Sequence, residues 1–173
     1  FLQIGVNYAN DYSDGVRGTD DDRVGPLRLT GSGAASPREV KTAAFVCFGL
    51  AALAGIALVG VSQQWWLAAV GVLAILAAWG YTGGKKPYGY MGLGDLFVFI
   101  FFGLVATLGT TITQAGRLNL ESWVLAISTG LFACALLMAN NVRDIPTDRE
   151  VGKHTLAVRL GDTAARWSYP VMV

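Results

Sequence analysis

Long uncharged blocks alternate with short charged intervals along this chain. Residues 42 to 84 contain no Asp, Glu, Lys or Arg, and neither do residues 96 to 116 or 122 to 142. A helix needs about 20 apolar residues to cross a bilayer. The first block can supply two such helices, with Ser62-Gln63-Gln64 as the polar turn between them. The pattern predicts a helix ending near Tyr12, a polar loop from Ser13 to Arg38, and spans over Val40 to Val61 and Trp65 to Tyr81. A loop from Gly83 to Gly94 leads to spans over Asp95 to Gln114 and Glu121 to Asn141. A second charged loop then extends to about Asp162, and a last helix begins near Thr163. Gly49, Gly55, Gly60, Gly71, Gly103 and Gly130 lie inside the spans, where small residues let helices approach closely in lipid. The fold class is therefore all-α, a polytopic transmembrane helix bundle. The chain opens in what reads as the last turns of one helix and closes at the start of another. A single membrane domain over residues 1–173, truncated at both ends, is expected.

Composition agrees with this pattern. Hydrophobic residues make up 53% of the 173 and charged residues 14%, against about 25% charged in a soluble domain. A net charge of +1 implies no bulk attraction to nucleic acid, and no obligate protein partner is evident. Cys47 and Cys134 fall inside predicted spans and read as small core residues rather than a disulfide framework. The single histidine, His154, reads as a solvated loop residue.

The charges also orient the bundle. Alternating the predicted spans puts Arg17, Arg23, Arg28, Arg38, Lys41, Lys85, Lys86, Arg143, Arg149, Lys153, Arg159 and Arg166 on one side, and Arg117 alone on the other. The positive-inside rule makes the rich side cytoplasmic, as in a multi-pass protein of a prokaryotic plasma membrane. Acids follow the same division, with only Glu121 opposite. They contribute little to orientation, so their segregation points to function on that face.

The acids are themselves patterned. Asn10 and Asp14 recur as Asn140 and Asp144, each pair where an apolar segment meets a charged loop. Residues four apart share a helix face, which puts Asn10 beside Asp14 and Asp144 beside Asp148, although Pro146 leaves helix continuity there open. Asp20, Asp21 and Asp22 follow the first motif. Carboxylates at this spacing suit Mg2+, which takes one or two protein carboxylates and completes its shell with water and phosphate oxygens. Basic residues follow each motif: Arg23 and Arg28 after the first, Lys153 and Arg159 after the second. Such groups match diphosphate oxygens. A third loop, YTGGKKPYGYMGLGD, brings Lys85, Lys86, Tyr88, Tyr90 and Asp95 to the same side. A cation transporter would place its charges near the bilayer midplane, whereas these lie at span ends. A soluble prenyl diphosphate synthase is excluded by the uncharged spans.

The strings QIGVNYANDYSDGVRGTDDDRVGPLRL, KKPYGYMGLGD and NNVRDIPTDREVGKHTLAVRLG resemble the UbiA-type intramembrane prenyltransferase superfamily, over essentially the whole chain. The resemblance implies nine transmembrane helices around a central cavity, with helices two to six and the start of seven represented here. It implies Mg2+ held by Asn10, Asp14 and Asp20 on one side and Asp144 and Asp148 on the other. Arg23, Arg28, Lys86 and Lys153 would bind diphosphate, and Tyr81 and Tyr88 would face the acceptor or a carbocation. Asn10, Asp14, Asp144 and Lys153 would be the catalytic core, and Asp11 is the only candidate base for the acceptor. The substrates implied are a polyprenyl diphosphate and an aromatic acceptor, 1,4-dihydroxy-2-naphthoate ahead of 4-hydroxybenzoate or a chlorophyll-type ring.

Overall fold

The computed structural model describes residues 1–19 and 25–173. Asp20 and Arg23, two of the candidate site residues, lie outside the described residues, as do Asp21 and Asp22. Every regular element in the described part is helical: α1 (Leu2–Val16), α2 (Pro37–Ser62), α3 (Leu67–Gly80), α4 (Gly94–Val98), α5 (Ala106–Ala115), α6 (Leu120–Arg143), α7 (Ile145–Glu150), α8 (Leu156–Leu160) and α9 (Asp162–Met172). A π-helical stretch, Phe99–Val105, joins α4 to α5, so the chain is helical without interruption from Gly94 to Ala115. Three helices are long and apolar enough to cross a membrane: Pro37–Ser62, Gly94–Ala115 and Leu120–Arg143.

Local chemistry sets the helix ends. Ser36 caps α2 through a capping box with Glu39, and Pro37 occupies the first turn, where its missing N–H costs nothing. Asn119 and Ser122 form the corresponding box at the start of α6. Gln63 closes α2 in the left-handed conformation, as the polar turn predicts.

Three boundaries differ from the sequence reading. Helix α1 continues past Tyr12 to Val16, which carries Asp14 inside the helix rather than into a loop. Helix α3 has 14 residues, a rise of about 21 Å at ~1.5 Å per residue, short of the ~30 Å hydrocarbon core. Trp65 and Trp66 belong to the turn before it, where Leu67 N–H donates to the Gln64 carbonyl and Ala68 N–H to that of Trp65. The second charged loop holds α7 and α8: the chain leaves helical geometry at Asp144, and Pro146 falls in the first turn of α7, where it is tolerated.

Two apolar clusters organise the bundle. Ala9, Ala44, Phe48 and Ala78 join α1, α2 and α3. The ammonium of Lys41 lies 5.3 Å from the Tyr12 ring centre and 5.9 Å from that of Trp79, reinforcing the same junction. Met138, Ile145, Ala157 and Ala165 join α6, α7, α8 and α9. Outward faces remain apolar, with Leu53, Ile56, Val72, Leu73, Leu76, Leu125 and Leu136 all exposed, as expected of lipid-facing surfaces.

Of the small residues singled out, Gly103 and Gly130 do let helices touch. A Cβ on Gly103 would lie 2.5 Å from the Cα of Gly130 and 2.9 Å from the Ala126 carbonyl oxygen. Gly49, Gly55, Gly60 and Gly71 face open space instead, so the packing role read for them does not hold within this chain. Because the obstacle at Gly103 is backbone, Gly103→Val should force α6 away. A loss of about 1–3 kcal/mol is expected, read as a lower melting temperature in detergent, with Gly71→Val nearly neutral.

Candidate active site

The charged loops meet at one end of the bundle, tied by long-range hydrogen bonds. The Asp11 carboxylate accepts from the backbone N–H groups of Leu29 and Thr30, each at 2.8 Å. The Arg17 guanidinium donates to the carbonyls of Thr82 and Gly84. Thr82 Oγ1 donates to Asn10 Oδ1 at 2.7 Å. The end of α1 is thereby fastened both to the loop before α2 and to the segment between α3 and α4. Asp11, the candidate base, is committed to holding the loop: both its oxygens are engaged by backbone N–H groups, so the structure does not support that role.

At the centre is Lys153, whose Nζ lies 3.6 Å from Asp14 Oδ2 and 3.6 Å from Asp148 Oδ1. Asp14 is 3% exposed and Asp148 4%, so both carboxylates are out of bulk water. They come from α1 and α7, about 130 residues apart in sequence, and the lysine draws them together. Tyr90 Oη donates to Asp14 Oδ1 at 2.9 Å and lies 2.9 Å from Thr19 Oγ1. The Tyr90 ring is also flanked by two cations, the Arg17 guanidinium carbon 5.2 Å and Lys153 Nζ 5.4 Å from its centre.

Electrostatics follow from this arrangement. Burial pushes the Asp148 carboxyl up to about 6; Lys153 offsets only part of the rise, and Asp144 and Asp14 add to it. Burial alone would push the Lys153 ammonium down, but Asp14 and Asp148 more than reverse that and hold it above the usual lysine range. Burial, then the Asp14 charge, raises the Tyr90 phenol, which keeps it a proton donor to Asp14. Lys153 thus has two anionic partners while Asp148 has half a cation, so the cluster is short of positive charge.

That shortage is what a divalent cation would correct. Among the described residues no three His, Cys, Asp or Glu side chains converge on one point. Two facing carboxylates nonetheless fit Mg2+, which relies on substrate phosphate and water for its remaining ligands. Asp144 stands at the break between α6 and α7, its carboxylate held by Arg143 at 2.6 and 2.8 Å. Asp148 N–H donates to its carbonyl at 2.8 Å, so the four-residue spacing survives the break.

The remaining candidates are placed less centrally. Lys86 is exposed on the turn between Gly83 and Pro87, and Arg28 is half-buried in the loop before α2. Tyr81 and Tyr88 pack edge to face at 5.5 Å, Tyr88 stacks on Phe97 at 4.0 Å, and Phe97 on Phe101 at 6.1 Å. The Tyr88 hydroxyl is spent on the Ala77 carbonyl, 2.8 Å away, so Tyr88 presents an aromatic ring rather than a proton. Sequence reasoning assigned no site role to Thr82 or Arg17, and it set Tyr90 with Tyr88 as a loop aromatic able to face a cation or the membrane interface, not as a partner of Asp14. Nothing in the string KKPYGYMG says which of its two tyrosines, Tyr88 or Tyr90, reaches Asp14.

Apolar membrane-length helices, with buried carboxylates and a lysine gathered where their loops meet, define an integral membrane protein with a charged site at one end of the bundle. The chain belongs to the UbiA prenyltransferase family, which matches residues 1–173. It is 60% identical over 168 residues to a 1,4-dihydroxy-2-naphthoate octaprenyltransferase of Mycobacterium tuberculosis, covering 97% of this chain and 57% of that protein. It is 46% identical over 171 residues to the protein of the same name in Escherichia coli, covering 95% and 56%. A human protein, UbiA prenyltransferase domain-containing protein 1, is 42% identical over 83 residues, 48% of this chain and 24% of its own length. The chain therefore spans a little over half the length of the bacterial relatives it matches. No solved structure matches it.

Proposed function

We propose that this chain is the diphosphate-binding portion of an intramembrane enzyme that moves a polyprenyl group from its diphosphate to 1,4-dihydroxy-2-naphthoate. The ring carboxylate is lost as CO2, and the product is demethylmenaquinol, a precursor of menaquinone. The observation that carries this reading is the buried Asp14–Lys153–Asp148 bridge, which joins the two acidic motifs into one charged site at a membrane end. Relatives at 60% and 46% identity bear the name of that reaction, and this supports the acceptor over a benzoate.

Asp14 and Asp148 would hold Mg2+, with Asn10 and Asp144 beside them and Asp20 joining from the adjoining segment. When bound, the metal supplies positive charge against the donor's diphosphate. Lys153 adds a fixed cation on the same oxygens and favours the diphosphate as it departs, the electrostatic help that is often the largest catalytic contribution. Arg23, Arg28 and Lys86 would add positive charge for the diphosphate, a role that rests on their place in the family's motifs. Tyr90 orients Asp14 by its hydrogen bond. The Tyr81–Tyr88–Phe97–Phe101 column gives the allylic cation an aromatic wall that excludes water. The concentration of basic residues at this end supports a site that faces the cytoplasm.

Proton competition gives a test. Asp148 is protonated below about pH 6, so there Mg2+ must displace a proton to bind. In membranes containing the full-length protein, the Mg2+ concentration for half-maximal prenyl transfer should rise about tenfold per pH unit below 6 and stay flat from 7 to 8. A Mg2+ requirement that does not change between pH 5 and 7, or transfer that survives EDTA, would remove the metal from this account.

A further inference from the structure

Asp95 stands apart from the other buried aspartates. It is 7% exposed, yet neither carboxylate oxygen has a hydrogen-bond partner. Among the described residues the other buried aspartates are all engaged: Asp11 by two backbone N–H groups, Asp14 by Tyr90 and Lys153, Asp148 by Lys153. Buried polar groups in folded proteins are almost always paired, so an orphan carboxylate marks a place where a partner arrives later. Its surroundings say which partner. Asp95 lies in the first turn of α4, with Cys134 of α6 donating to its carbonyl at 3.2 Å. The Tyr81 ring lies over the preceding residue: a Cβ on Gly94 would be 3.2 Å from the ring and 3.4 Å from the hydroxyl. On its other side the Tyr81 carbonyl accepts from the N–H of Gly89 at 2.9 Å, and the next residue, Tyr90, donates to Asp14. Tyr81 thus lies between the segment that reaches Asp14 and the residue before the unpaired carboxylate.

Resting on the function proposed above, we infer that Asp95 is the base for the aromatic acceptor, receiving its ring hydroxyl as a hydrogen-bond donor and then taking the proton. An ionised carboxylate only accepts hydrogen bonds, and the acceptor's hydroxyl is the donor it lacks. As the ring carbon bonds to C1 of the prenyl group, the C1–O bond breaks and its electron pair leaves with the diphosphate. The hydroxyl O–H bond breaks in the same step, its proton passing to a carboxylate oxygen of Asp95, and the ring is left as a neutral ketone. The rival groups are committed elsewhere: Asp11 to the loop, Asp14 and Asp148 to Lys153, and the Tyr88 hydroxyl to Ala77.

The test uses the full-length enzyme in membranes with Mg2+, polyprenyl diphosphate and 1,4-dihydroxy-2-naphthoate, comparing wild type with Asp95→Asn and Asp95→Leu. Both substitutions remove a buried unpaired charge, so both should raise the melting temperature. The kcat should fall about 100-fold or more at pH 7, with KM for the donor diphosphate unchanged. Wild-type turnover should be level from pH 7 to 9, while the variants regain about tenfold per pH unit as the acceptor ionises in solution. Variants within about threefold of wild type, a lowered melting temperature, or a low rate with the wild-type pH profile would each overturn the role. A wild-type enzyme that forms no prenylated product would instead overturn the functional reading beneath it.

Discussion

Asp14→Asn in the full-length protein lowers prenyl transfer by about 100- to 1000-fold, the scale of losing one preorganised electrostatic contact, while the fold persists. The amide oxygen of asparagine can still accept from Tyr90, whose hydroxyl lies 2.9 Å from Asp14 Oδ1, so the end of α1 keeps its shape. What disappears is one of the two charges on Lys153. The cluster then becomes a neutral pair of Asp148 and Lys153, with no remaining demand for a divalent cation. Raising Mg2+ should recover little activity. Initial rates across a Mg2+ titration check this; turnover equal to wild type would detach Asp14 from the metal.

Lys153→Met is expected to damage stability as well as activity. Lys153 is 16% exposed by its side chain and is the cation between two carboxylates that are more buried still. Removing one partner of a buried ion pair leaves uncompensated charge and costs about 3–5 kcal/mol. The pH dependence follows from Asp148, whose folded-state pKa of about 6 lies above its ordinary value of 3.8. A raised carboxyl pKa means the folded state binds its proton more tightly, so the benefit is present at low pH and is lost as pH rises through about 6. Lys153 holds the Asp148 carboxyl down, so its loss raises that carboxyl further. The Lys153→Met deficit should be largest at high pH and shrink as pH falls toward about 6, and adding Asp148→Asn should restore much of it. Melting temperatures in detergent read both effects. A deficit unchanged between pH 5 and 7.5 would mean that the lysine does not hold these carboxylates.

Much of this architecture is legible in the uncharged blocks, because a bilayer makes length and charge directly readable. The helices over Pro37–Ser62, Gly94–Ala115 and Leu120–Arg143 follow the predicted spans within a few residues. Where hydropathy stops being informative, the reading slips. Ser13 and Asp14 look like loop because they are polar, yet α1 runs on to Val16, with Ser13 buried and Asp14 facing Tyr90 and Lys153 rather than lipid. Trp65 and Trp66 look like span because they are apolar, yet they form an interfacial turn, with the Trp66 indole donating to Gln64. The repeated Asn-x-x-x-Asp spacing located Asp14 and Asp144. It could not show that Asp144 turns to Arg143, nor that Tyr90, 76 residues beyond Asp14, hydrogen-bonds it. Contacts between loops so distant in sequence depend on the packing of the whole bundle. The orphaned state of Asp95 is likewise invisible in the string GLGD.

In the proposed reaction two acidic motifs close on one diphosphate and deliver its prenyl group to a naphthoate ring. The most direct measurement supplies membranes containing the full-length protein with Mg2+, a polyprenyl diphosphate and carboxyl-labelled 1,4-dihydroxy-2-naphthoate. Labelled CO2 and prenylated naphthoquinol should appear together in equal amounts, and both should cease with Asp14→Asn. Intact naphthoate alongside an active control enzyme, or equal product from the Asp14→Asn membranes, would contradict it.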